Sequence, residues 1–412
     1  MKILIGVIET PGGEMLFTMD NGVASLLPTN NDIQQSYPNY HLLKNHSLKI
    51  QNAPISGTGV FCFRYGPVMA GVKEAGSFNL YTYGEKILRA SVDLSWKHRK
   101  IETAMINKKP DEAIILAERV CSNFAMAHSV AFCRATENAL KIPLDIETKN
   151  WRIILLEAER VYNHLNVIYK LAGAAAQKVL AAHLCSLFEE ALRMNECLTG
   201  SRYLMNTNMI GKIKIPQLAQ IEKAIAGYQQ ILATFEQLYR HSLNNSNYLD
   251  RLHISGTLTQ KQVEGFGLTG PSLRACGIQD DLNGTAEHLI GLPVVTQNEG
   301  DALARMETRA EEIVNSCDYI INHLKVSDTW KQEPEKNKTR QISGEGCGIA
   351  NSASGALGYY IHIEEDIIRL VKICTPSYVG MHAVSEALKD MVFTDFPFVF
   401  DSFGIYFSDA AL

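Results

Sequence analysis

The chain has 412 residues, 46% of them hydrophobic and 20% charged, with a formal net charge of −5. This is ordinary globular material, long enough for two or three domains or one large subunit with a substantial core. The charge balance disfavours a strongly basic face, so no nucleic-acid partner is expected.

Met1 to Ile8 is apolar but is stopped by Glu9, Pro11 and two glycines, which predicts a first strand rather than a signal peptide. Val60 to Gly66 and Ser77 to Tyr83 are short aromatic and β-branched runs between Gly-containing turns. Residues 1–105 therefore read as a β-rich N-terminal segment, with a polar loop from Asn30 to Gln51 around Pro38. Residues 106–345 read as a helical core. A broad apolar stripe runs on from Ile153, with Glu157, Glu159, Arg160 and His164 interleaved. Lys178 to Leu198 repeats the pattern and stops at Thr199-Gly200. Leu218 to Leu243 and Ala302 to Leu324 give two more long helices. The charged run from Asp328 to Arg340, with Pro334, reads as an exposed loop. Residues 346–412 read as an α/β segment that packs back on the core. It holds strands in Gly355 to Ile373 about a turn at Glu364-Glu365-Asp366, a short helix from His382 to Met391, and an extended aromatic stretch from Phe393 to Phe407. No run of 18 apolar residues occurs, so no span is expected and any membrane association must come through a partner. The nine cysteines are scattered, odd in number and form no C-x-x-C pair, the pattern of reduced thiols in the cytoplasm.

Five ordered blocks carry more information than composition. They are RVCSNFAMAHSVAFCRATENAL from Arg119, LLEAERVYNHL from Leu155, GPSLRACG from Gly270, GDALARMETRAEE from Gly300 and GEGCG from Gly344. In this order the chain resembles the large subunit of energy-converting, membrane-bound nickel–iron hydrogenases and its relative, the 49-kDa-type subunit of respiratory complex I. The resemblance runs from about Tyr65 to Ser408. It implies an α+β fold of the hydrogenase large-subunit type, a central long-helix bundle flanked by N- and C-terminal β-containing segments.

In that family two cysteines of an R-x-C-G-x-C-x-x-x-H motif and two of a C-terminal D-P-C-x-x-C hold the metals, because soft thiolates bind nickel and low-spin iron tightly. Here the first pair matches Cys121 and Phe124, and the second matches Tyr406 and Asp409. One ligand of four remains, so no metal and no catalytic residue is assigned to this chain. The aromatic replacements point to a cavity filled by packing. Cys121, Ser122, His128 and Tyr406 are read as the wall of a vestigial active-site cavity. Complex I relatives bind a quinone in this region through a His and a Tyr, but those positions match Ala75 and the vicinity of Ser122. Lys73, Ser122 or Tyr406 remain as substitutes, so a quinone stays open.

His98-Arg99-Lys100-Ile101-Glu102 is similar to an H-R-G-x-E motif that in the family lies towards the cluster of a small iron–sulfur subunit. Two readings stand, a cluster-facing interface at His98 and Arg99 or a solvated basic turn. Glu157, Arg160 and His164 share a helical face, as do Asp301, Arg305 and Arg309. With Arg274 they are read as a buried structural network, the alternative being surface ion pairs of little energetic weight. The family's E-A-P-R-G loop reads Asn351-Ser352-Ala353-Ser354-Gly355 here, its I-G-G-x-R motif ends in Lys214, and a following D-x-R reads Asp281-Leu282-Asn283. Scaffold residues persist while polar residues around the old site are lost. Gly344 to Gly348 reads as a turn entering a strand rather than a nucleotide loop.

The resemblance implies a large subunit of a membrane-associated oxidoreductase complex without its nickel–iron centre. It would act as a scaffold for electron transfer or ion-translocation coupling. Expected partners are a small iron–sulfur subunit, which carries the cluster, and antiporter-like subunits of a membrane arm. The expected location is cytoplasmic, peripheral on the inner face of the cell membrane. Two alternatives stand beside this, a quinone-reactive subunit of an NADH dehydrogenase-like complex and a stand-alone helical binding protein.

Overall fold

The computed structural model describes residues 2–20, 23–29, 36–45, 49–50, 55–68, 74–279, 292–327 and 340–412. Lys73, residues 281–283 and most of the expected 328–340 loop lie outside the described residues, as do 30–35, 46–48 and 51 of the first expected loop. Within that loop, Tyr40–Lys44 forms a short helix.

The first strands, β1 (Lys2–Thr10), β2 (Gly13–Asp20) and β3 (Val23–Pro28), form an antiparallel sheet in that order. A second sheet has the order β4-β7-β6-β5, from β4 (Lys49–Ile50), β5 (Val60–Tyr65), β6 (Ser77–Tyr83) and β7 (Lys86–Asp93). Then come the helices α1 (Ala125–Leu140), α2 (Ile146–Ala174) and α3 (Lys178–Thr199). A small hairpin of β8 (Asn208–Met209) and β9 (Lys212–Ile213) precedes α4 (Leu218–Leu243) and α5 (Ala302–Val326). Three antiparallel strands follow, β10 (Gly344–Ser352), β11 (Gly355–Glu364) and β12 (Ile367–Cys374), then α6 (Pro376–Ala387), α7 (Phe396–Ser402) and α8 (Phe407–Ala411).

Helix α2 is the axis of the molecule. Asp145 caps it by accepting from the Thr148 N–H at 2.6 Å. Every residue from Trp151 to Ile168 is buried, because α1, α3 and α5 surround it. A helix buried all round must satisfy its own polar side chains, and this one carries Arg152, Glu157, Glu159, Arg160, Asn163 and His164 inside. Helix α3 ends at Gly200, whose φ of 77° needs no Cβ.

Three corrections to the expectations have physical causes. Gly344 to Gly348 is the strand β10 itself, not a turn entering it. A Cβ at Gly344, Gly346 or Gly348 would collide with α1 backbone at Ala139, Ala135 or Ala131 respectively, so alternate glycines let the strand lie directly on the helix. The expected helix at 382–391 starts earlier, at Pro376, which is favoured in a first helical turn, and ends at Ala387. The run 393–407 is not extended. It forms a short 3-10 turn at Phe393–Asp395, then α7 and the start of α8. Its aromatic residues favour strands, but Pro397 opens a helix and helical spacing sets Phe396 and Phe400 together against Phe78, at centroid distances of 4.8 and 5.3 Å.

Candidate functional site

The end of the chain folds back over the start of α1. Arg99 makes this closure by donating from Nη1 to the Arg119 carbonyl at 2.8 Å and from Nη2 to the carbonyls of Val120 and Ser408, the latter at 2.7 Å. His98 is exposed and its Nδ1 meets the Ala411 carbonyl. Between these segments and α2 lies a cavity of ≈ 330 Å³. Cys121, Ser122, Lys170, Asp401 and Tyr406 line it, and Arg99 reaches its rim.

The four positions matching the family's ligands lie together here, with a different chemistry. The Phe124 and Tyr406 rings meet edge to face at 5.2 Å. Tyr406 Oη accepts from Asn166 Nδ2 at 3.0 Å and Asn163 Nδ2 at 3.3 Å, so its own O–H remains to donate. Asp409 is fully buried, and its Oδ1 lies 2.9 Å from His128 Nε2. Its other oxygen accepts from the Ser377 N–H, in the first turn of α6, at 3.3 Å. His128 Nδ1 lies 2.8 Å from the hydroxyl of the buried Tyr359. Burial, together with the nearby Asp409 charge, pushes the Cys121 thiol up to about 12, so it is no thiolate. Among the described residues no three His, Cys, Asp or Glu side chains are grouped as a metal would require. A protonated thiol, two rings and a hydrogen-bonded carboxylate do not fit a nickel–iron centre.

Behind the cavity the polar residues of α2 and α5 meet. Glu312 accepts from His164 Nε2 at 2.7 Å and from Arg274, and lies 3.6 Å from Arg160. Burial alone would raise its pKa, but Arg274, His164 and Arg160 hold it far below the usual carboxylate range. Arg160 also pairs with Glu157 at 3.1 Å, and Glu157 accepts from Ser316 Oγ at 2.6 Å. Arg309 Nη1 lies 3.0 Å from His164 Nδ1. A guanidinium only donates, so Nδ1 accepts and the proton of the neutral ring is on Nε2, facing Glu312. Burial lowers the His164 pKa to about 3, in keeping with that neutral ring. Arg309 also donates to the carbonyls of Ala353 at 3.0 Å and Phe403 at 2.7 Å, tying the 351–355 turn to the final segment. Asp301 caps α5 through the Ala304 N–H at 2.8 Å, and Arg305 donates to the Gly256 and Gly300 carbonyls and to Ser402.

Sequence reasoning named Glu157, Arg160, His164, Arg274 and Arg309 but missed Glu312, which joins them. Its signal was its place three residues after Arg309, beside the apolar Ile313. It also missed Asp409 as the partner of His128, and Glu159, which accepts from the Met126 and Ala127 N–H groups at 2.6 and 3.1 Å. Burial pushes Glu159 up to about 8 against those donors. Lys170 and Asp401 were missed too. Burial lifts Asp401 to about 6, opposed by Lys170, which also lies 5.6 Å from the Tyr406 ring centroid.

Residues 180–342 match the family described as respiratory-chain NADH dehydrogenase, 49 Kd subunit, and residues 99–196 match nickel-dependent hydrogenase. The chain is 29% identical over 273 residues to formate hydrogenlyase subunit 5 of Escherichia coli, a match covering 63% of this chain and 47% of that protein. It thus spans about half the length of that relative. It is 24% identical over 351 residues to membrane-bound hydrogenase subunit alpha of Pyrococcus furiosus, covering 79% and 81% of the two chains. It is 23% identical over 345 residues to an NADH-quinone oxidoreductase subunit of Solibacter usitatus, covering 76% and 84%. The fold is shared with a chain of a membrane-bound sulfane sulfur reductase, an archaeal respiratory membrane complex. The TM-score is 0.77 at 22% identity, covering 87% of this chain and 100% of that one. The α+β architecture, the two matched families and the order of the blocks agree: the chain is a large subunit similar to those of nickel–iron hydrogenases and to the complex I 49-kDa subunit, and its metal-binding motif is not intact.

Proposed function

We propose that this chain is the large subunit of a membrane-associated oxidoreductase complex and works there as a scaffold rather than as a hydrogenase. The observation that carries this is the exchange at the four ligand positions. Cys121 is a buried thiol, Phe124 and Tyr406 pack on each other, and Asp409 is held by His128. The surrounding polar framework of Arg160, His164, Arg309 and Glu312 is kept. A subunit kept for assembly needs that framework and not the metal. In this reading a small iron–sulfur subunit supplies the cluster and meets the side bearing His98 and Arg99. Antiporter-like subunits of a membrane arm hold the assembly at the inner face of the membrane. Among the described residues no helix is long and apolar enough to cross a membrane, which agrees with a peripheral place.

A second reading keeps a ligand in the cavity. The Tyr406 O–H, left free to donate by its two asparagine partners, suits a carbonyl acceptor such as a quinone head, with Lys170 and Ser122 beside it. The first reading is tested by purifying the native complex from membranes, identifying its subunits and analysing it for nickel, and the second by extracting that complex for quinone and repeating the extraction with Tyr406→Phe, which should lose it. The expected result is an iron–sulfur partner, less than stoichiometric nickel and no hydrogen uptake with a viologen dye. Stoichiometric nickel, or a chain that purifies alone, overturns the scaffold reading.

A further inference from the structure

Strand β5 is an outer strand of its sheet, and four consecutive residues of it, Phe61 to Arg64, are exposed. Edge strands are usually blunted by a proline, a lysine, a bulge or a covering element. β5 has no proline and no lysine, and its register with β6 is continuous from Val60 against Tyr83 to Tyr65 against Phe78. Among the described residues its outer edge makes no backbone pair with another strand. On one face Phe61 and Phe63 are 51% and 39% exposed, and Val68, just beyond, is 91% exposed. Phe63 and Tyr65 continue inward onto Phe393 and Phe396. Rings left open at the margin of a packed face are what an additional strand would cover.

The opposite face has a charge pattern. Cys62 aligns with Tyr81 and Arg89 across the sheet, and Arg64 aligns with Asn79 and Ser91. The cation on the exposed part of β5 is Arg64, whose Nε donates to Asn79 Oδ1 at 3.1 Å, while Lys86 on β7 already pairs with Asp390 at 2.8 Å. We propose that the open edge of β5 takes an extended strand from a partner subunit, with apolar side chains over Phe61 and Phe63 alternating with a carboxylate towards Arg64. This rests on the reading that the chain works inside a complex. An open row of N–H and C=O groups is satisfied along its length only by another extended backbone, and alternate side chains then set the choice of partner. A second copy of this chain is a poor occupant. It would set VFCFRY against itself, and that strand holds no carboxylate to meet Arg64.

Cys62 and Cys185 are both exposed free thiols, so the chain carries its own probe and reference. The test compares N-ethylmaleimide labelling of the two in the isolated chain and in the native complex, with amide exchange over residues 60–65. The expected result is at least tenfold slower labelling of Cys62 relative to Cys185 in the complex, with alternate amides of β5 newly protected. The alternate amide protection separates edge pairing from docking on the sheet face, and two variants check which face the partner's apolar side chains cover. Phe61→Glu places a charge on the edge, and Tyr83→Glu places one on β6, where Tyr83 is 61% exposed. Phe61→Glu should lose assembly and Tyr83→Glu should keep it. If Phe61→Glu fails to fold, labelling and exchange of the unaltered protein decide. Equal labelling of Cys62 in the complex and the free chain, equal losses from the two variants, or a homodimer each overturn the proposal. A complex recovered with β5 still open sinks this inference alone, whereas no complex at all sinks the scaffold reading with it.

Discussion

Two buried regions lie back to back in this molecule and have gone opposite ways. Behind the cavity, Glu157, Arg160, His164, Arg274, Arg309 and Glu312 keep a dense set of charges in contact. In front, the positions that match the family's ligands hold a buried thiol, two rings and one carboxylate held by His128. The difference separates two jobs that a metallocentre combines. The charged region joins α2 to α5 and both to the 351–355 turn. The ligand region joins the start of α1 to the end of the chain, with side contacts to α2, α6 and β11, through packing and a few hydrogen bonds.

The sharpest way to break the comparison is to remove the centre of the charged region. Glu312→Ala leaves Arg160 and Arg274 buried without their shared carboxylate, and His164 without its acceptor. Truncating one partner of a buried pair costs about 3–5 kcal/mol, so this variant should be recovered largely unfolded or with a much reduced urea midpoint. A loss below about 1 kcal/mol would mean that water or rearranged partners replace Glu312, and that this region does not hold the core.

The ligand region should respond through volume rather than charge. Phe124 is fully buried and packs on Tyr406, so Phe124→Ala should cost about 3 kcal/mol through lost contacts and the void left behind. Benzene is a suitable filler, and it should restore part of the urea midpoint if the void stays apolar and dry. If Phe124→Ala is neutral, the ring does not replace the lost ligand as a link, and the contrast between the regions is wrong.

Much of the architecture could be read in the chain because it rests on local rules. The helix from Leu218 to Leu243 has the bounds its apolar spacing implies, and α3 stops at Gly200. The C-terminal aromatic run was misread because strand propensity and helical burial compete there. The winning term, packing of Phe396 and Phe400 on Phe78, comes from residues about 320 positions away in the chain. The site was readable as a set of residues and not as a set of contacts. His128 and Asp409 each stood in a recognisable block, but only the fold brings Asp409 to the His128 ring and to the first turn of α6. Glu312 shows the same limit. A glutamate on a helix is normally solvated, and nothing local tells that Arg274, Arg160 and His164 converge on it from elsewhere.

The smallest effect sharpens the comparison most, because it reads one proton in the charged region. His164 has its folded pKa lowered to about 3 from an ordinary value of 6.5. Below pH 6.5 the unfolded chain takes up a proton that the folded chain refuses. The stability owed to the neutral ring is therefore complete above about 6.5 and is lost progressively as pH falls towards 3. The slope approaches about 1.4 kcal/mol per pH unit, the value for one proton. Glu312 contributes mainly below its ordinary 4.5 and so stays largely out of the window from 6.5 to 5. Glu159 acts in the same window with opposite sign. Its raised pKa of about 8 makes the fold more stable as pH falls from 8 towards 4.5, offsetting part of the His164 effect. Comparing the unaltered chain with His164→Gln cancels the Glu159 contribution, because both proteins carry it. The amide stays neutral, so the variant should lose about 1 kcal/mol at pH 7.5 from imperfect hydrogen bonds. That deficit should shrink as pH is lowered to 5, and urea unfolding at pH 7.5, 6 and 5 measures it. A deficit that stays constant across the three values would mean that His164 takes up its proton in the folded chain. The Nδ1 contact with Arg309 would then be a repulsion, and the charged region would have to be held together by Glu312 and Glu157.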